Sequence, residues 1–77
     1  MIHPATAQLL RWFNSDHLSY NPALQETVKP FEKMAYRIAE QFEGPEVTVG
    51  LRKLLEAKDC IVRAHVTAQD NAKIASS

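Results

Sequence analysis

The groups best suited to hold an anion lie in one short stretch of this chain. Thr48 and Arg52 are four residues apart, so on a helix they share a face. The planar guanidinium of Arg52 can grip a phosphate through two parallel bonds while Thr48 donates a hydroxyl. Arg52 also stands four residues from Glu56, and a solvated ion pair along the helix is the other reading. Lys58 lies seven residues after Leu51 and three before Ile61, in line with an apolar seam. It either snorkels its ammonium outward along an apolar stem or faces an anion held between helices. Trp12, Phe13 and Tyr20 gather around one turn. They either cover the core or offer a stacking surface, where a nucleobase gains about 1–3 kcal/mol.

Catalytic chemistry has no comparable constellation. Ser15-Asp16-His17 sets the residue types of a triad side by side, but adjacency in sequence is not triad geometry, and these residues form turns and caps. A phosphate-cradling glycine loop is excluded, because the glycines are Gly44 and Gly50. Gly50 falls inside a helical pattern, where it costs about 0.5–1 kcal/mol relative to alanine. Either another backbone or a ligand approaches closely there, or the cost is tolerated. His3, His17 and His65 are far apart and Cys60 is the only cysteine, which speaks against a metal site and excludes an internal disulfide. No cofactor is expected. Cys60 reads as a small core residue, and Asp59 with Arg63 as a solvated pair on a helix face.

The elements that must position these residues are helices. Pro4 suits a first turn, and Ala5 to Phe13 reads as a short helix ended by Asn14-Ser15-Asp16. Asn21-Pro22 combines a cap with a first-turn proline. After it Leu24, Val28, Phe31, Ala35, Ile38 and Phe42 recur at steps of four and three, an apolar seam on one face. Pro30 sits in that seam and is expected to kink it. Gly44-Pro45 ends one helix and starts the next, which makes the two antiparallel neighbours. The third helix is expected from Pro45 to about His65. It carries two stripes, one of Val47, Leu51, Leu54 and Ile61 and one of Leu55, Val62 and Val66. Residues 67–77 form a polar tail that either extends the helix or trails in solvent. The expectation is a single all-α domain: residues 1–20 a short N-terminal helix and turn, 21–66 a long antiparallel helical hairpin, 67–77 the tail.

Seventy-seven residues bury only roughly 60% of the surface that the unfolded chain exposes, and a core of that size supplies about 3–5 kcal/mol. Without a disulfide or a metal, association with other copies is the remaining source of stability. Two apolar stripes on one helix exceed what a single partner helix covers, which points to a homo-oligomer. Nine basic residues balance nine acidic ones, unlike a protein that grips long DNA or RNA. No apolar run approaches the ~20 residues of a membrane span and the N-terminus lacks a signal-peptide profile, so no membrane partner and a cytoplasmic location are expected.

The block from Gly44 to Ala64, with His17-Leu18 and Leu24-Gln25 upstream, resembles small helical proteins of bacteriophages, especially those of actinobacteria. These are the helical-hairpin members of the anti-CBASS and anti-Thoeris group, sponges that sequester cyclic oligonucleotide signals. The resemblance covers residues 13–65. It implies a non-enzymatic homo-oligomer, a hexamer, acting in the infected host cell with cyclic di- or trinucleotides held between subunits. It implies ligand contacts from Arg52 with Thr48 on the last helix, and from Phe13 or Tyr20 with Lys33 nearer the N-terminus. Val47 stands where that pattern has a basic or polar residue. Symmetry would gather one Arg or Lys from each subunit around a symmetric ligand, so a neutral chain can still concentrate charge on phosphates.

Overall fold

The computed structural model describes residues 4–76, with side chains through Lys73; His3 lies outside the described residues. Three α-helices follow one another: α1 (Pro4–Arg11), α2 (Pro22–Gln41) and α3 (Pro45–Ser76), with a single 3-10 turn at Asp16–Leu18 between α1 and α2. Among the described residues there is no strand. The short N-terminal helix and the long hairpin thus have the expected order.

Local chemistry sets the ends. Asn21 caps α2 by accepting the Leu24 amide at 3.3 Å, and Pro22 occupies the first turn. The chain leaves α2 through Phe42, whose backbone is extended, and turns at Gly44 with φ of 116°. That positive φ is why a glycine stands there. α1 stops earlier than its apolar pattern implied, at Arg11, and tightens through the bonds Trp12 N–H to Leu9 O and Phe13 N–H to Leu10 O, both 3.1 Å. α2 runs through Pro30, which lies exposed, where water can satisfy the carbonyl left without a donor. Residues 67–76 are not a separate tail: they continue α3, a 32-residue helix. At about 1.5 Å per residue that helix spans most of the 50 Å long axis of the molecule.

α2 and α3 pack antiparallel, and α1 lies against both in the half of the hairpin nearer the turn. The main core is Leu10, Phe13, Ala35, Ala39 and Leu51, with Phe31, Ile38, Val47, Leu54 and Leu55 against it. A second cluster of Leu18, Leu24 and Val28, with Val62, fills the other end. The face of α3 toward its own chain is therefore Val47, Leu51, Leu54, Leu55, Lys58, Val62, His65 and Gln69, all buried or half-buried. Most of the two expected stripes lies on this face, and Ile61 and Val66 fall outside it. Ile61 is 43% exposed and Val66 is exposed, because α1 and α2 together fix a rotation of α3 that turns Val62 inward. Cys60 is likewise exposed and not in the core.

Polar pairs tie the helices at intervals. Asn21 and Gln69 exchange amide bonds at 3.1 and 3.3 Å. The Thr27 hydroxyl donates to Ala23 O at 3.2 Å and lies 3.0 Å from His65 Nδ1 in a second hydrogen bond. His65 Nε2 is buried without a hydrogen-bond partner among the described residues. The loop between α1 and α2 is held by two side chains of α2. Ser15, 1% exposed, donates its amide to Glu32 Oε2 at 2.9 Å and its hydroxyl to Glu32 Oε1 at 3.1 Å. Its carbonyl accepts from Gln25 Nε2 at 3.0 Å. Ser15 thus stands in the turn as expected, but its hydroxyl makes no cap bond and goes to Glu32 instead.

Candidate functional site

Lys58 belongs to the fold. Its ammonium donates to the Trp12 carbonyl at 2.6 Å, pairs with Asp59 at 3.1 Å and lies 5.9 Å from the centre of the Phe13 ring. The side chain is only 13% exposed. A cation on a carbonyl just past the end of α1 satisfies a group that the helix leaves open and opposes the negative end of its dipole. Neither snorkelling into solvent nor facing an anion describes this arrangement; Lys58 clamps α1 onto α3. Asp59 is accordingly turned toward Lys58, and Arg63 donates instead to Cys60 Sγ at 3.2 Å, so the expected Asp59–Arg63 pair does not form.

The aromatic group divides. Phe13 is 0% exposed in the core, whereas Trp12 and Tyr20 are 67% and 76% exposed. Within one chain Phe13 presents no surface on which a base could stack. Tyr20 stands just before the cap of α2, and Lys33 is exposed further along that helix. The single chain does not gather Lys33, Tyr20 and Phe13 into one site.

Arg52 and Thr48 remain together. Thr48 is half-buried and lines a hollow of about 590 Å³ at the turn end of the hairpin, with Thr6 from α1, Ala39 from α2, and Phe42, Glu43 and Gly44 from the turn. Arg52 is exposed one turn further along, and among the described residues no ion pair holds it, Glu56 included. The hollow offers two hydroxyls and the ring of Phe42, which is 59% exposed. Its volume lies within the range of small-molecule sites. Glu43 places a carboxylate in the lining of this hollow, and Arg52 stands outside it. Phe42 escaped notice as a site residue because it ends the apolar periodicity of α2; its position one step past the helix is the signal that it leaves the core.

Among the described residues no three His, Cys, Asp or Glu side chains come together as a metal site, and no helix is long and apolar enough to cross a membrane. Comparison with family models, with characterised proteins and with solved structures finds no match to this chain.

Proposed function

We propose that this protein is a phage anti-defence sponge: a homo-oligomer, hexameric by its resemblance, that binds cyclic di- or trinucleotide messengers in the host cytoplasm and does not cleave them. The observation that carries the reading is Arg52, an exposed guanidinium without an ion pair among the described residues, one turn beyond Thr48 and its hollow. An unpaired guanidinium is available for bidentate phosphate recognition, Thr48 supplies a hydroxyl, and Phe42 a ring on which a base can stack. The resemblance of the block from Gly44 to Ala64 supplies the ligand class. Lys33 and Tyr20, exposed on α2 and before it, join the site only if a second copy brings them to it.

Calorimetry with a panel of cyclic di- and trinucleotides tests this. The wild type binds one of them, and the ligand is recovered intact. Arg52→Ala weakens binding by at least about 2 kcal/mol, since a hydrogen bond to a charged group contributes about 1.5–3 kcal/mol. Arg52→Lys falls between, because it keeps the charge and loses the planar fork. Helicity is unchanged in both. Absence of binding by the wild type at high micromolar concentration refutes the reading. A helical-hairpin interaction scaffold then takes its place, a function favoured by the apolar face that α3 leaves uncovered.

A further inference from the structure

Where α1, the end of α2 and the start of α3 meet, the hollow of about 590 Å³ contains polar groups that the fold does not use. Thr6 lines it and is 6% exposed, yet its hydroxyl has no hydrogen-bond partner among the described residues. A valine would fill the same space without a polar atom to satisfy. The hydroxyl is not sealed off, and the hollow is the side from which a partner can reach it. Thr48, half-buried, brings a second unengaged hydroxyl to the hollow from α3.

The charge in the lining is a carboxylate. Glu43 is exposed, and among the described residues no cation or donor holds it. Little at the start of α3 could cradle a phosphate beside it. Pro45 has no N–H, and the Val47 N–H is donated to Gly44 O at 3.1 Å. Most of the remaining wall is apolar, with Pro4, Ala5, Ala39 and Val47, and Phe42 adds an exposed ring. Such walls repel a phosphate and suit a flat, uncharged group with N–H donors on its edge.

We propose that the hollow is a pocket for a nucleobase that carries an exocyclic amino group. The base stacks on Phe42, its amino group donates to the Glu43 carboxylate, and the Thr6 and Thr48 hydroxyls meet its ring nitrogens. Stacking combined with hydrogen bonds to the base edge is how a base is read in a pocket, and a carboxylate accepts from an amino group in this way. A base with a carbonyl in place of the amino group sets an acceptor against the carboxylate, which disfavours uracil and hypoxanthine. The inference deepens the proposed function and rests on it for the ligand being a nucleotide. The base enters the hollow, and the phosphate stays outside it with Arg52, about 6 Å further along α3 than Thr48, a gap that a ribose spans.

Nucleosides test the pocket without the phosphate. Adenosine and guanosine are each compared with inosine, and cytidine with uridine, so that each pair differs by an amino group. They are titrated to millimolar concentration into the full chain while the amide NMR shifts of Thr6, Gly44 and Thr48 are followed. At least one amino-bearing nucleoside shifts these amides, and its amino-free counterpart binds at least about tenfold more weakly. Glu43→Gln keeps the shape and removes the charge, and it weakens the amino-bearing nucleoside at least about fivefold. An affinity that is unchanged or raised in Glu43→Gln means that the carboxylate accepts nothing from the base, and overturns the proposal. Thr6→Val weakens nucleoside binding while the urea midpoint holds or rises, because the hydroxyl has no partner in the free chain. A lowered midpoint, or unchanged binding, overturns it as well. If no nucleoside moves these amides, the pocket reading fails even where a cyclic nucleotide binds through Arg52. Nucleoside binding without cyclic-nucleotide binding upholds the pocket and refutes the sponge, so the two ideas fail separately.

Discussion

Glu32 should be among the most costly surface-adjacent residues to remove. Its two carboxylate oxygens accept the amide and the hydroxyl of Ser15 at 2.9 and 3.1 Å, and Ser15 is 1% exposed. Glu32→Ala leaves both donors facing a void with no acceptor. Hydrogen bonds to a charged group contribute about 1.5–3 kcal/mol each, and stranded buried donors lose that much. The pair acts on one loop, so the losses do not simply add; about 3 kcal/mol in total is expected. That is most of the ~3–5 kcal/mol that a core of this size supplies. Glu32→Gln keeps one acceptor and is expected to cost about 1–2 kcal/mol. In a Ser15→Ala background the hydroxyl is already gone, so Glu32→Ala costs about 1 kcal/mol less there. Urea unfolding followed by circular dichroism measures all four variants. Protein concentration is held fixed, because association adds to apparent stability. A loss below about 0.5 kcal/mol for Glu32→Ala, or no coupling to Ser15, would refute the view that this carboxylate anchors the α1–α2 loop.

Two further outcomes follow from the fold. Gly44→Ala destabilises by about 1–2 kcal/mol in urea titration, because φ of 116° strains any residue with a Cβ although the space around it is open; a neutral result would mean the turn relaxes to negative φ. Val62→Asp abolishes helicity by circular dichroism, whereas Ile61→Asp, at an exposed position, keeps it and lowers the mass seen by light scattering. If Ile61→Asp unfolds the chain and Val62→Asp does not, α3 is rotated the other way.

Much of this architecture is written in local chemistry. Asn21-Pro22 and Gly44-Pro45 act on their own backbone neighbours, so the start of α2 and the joint of the hairpin are readable from a few residues. The spacing of Leu24, Val28 and Ala35, four and then seven residues, likewise marks the inner face of α2. The rotation of α3 is different. Its apolar residues satisfy helical spacing along two neighbouring lines, and periodicity is unchanged when a helix turns about its axis. Only the packing of α1 and α2 selects the line through Leu51, Leu55 and Val62, which leaves Ile61 outside. The same selection decides which of the candidate residues are buried. Lys58 and Phe13 carry the right chemistry for a ligand, but α1 brings the Trp12 carbonyl and the core to them. Arg52 is exposed. Side-chain chemistry names what a residue can bind; long-range packing decides which partner reaches it first, because the contacts that matter join residues as distant as Trp12 and Lys58.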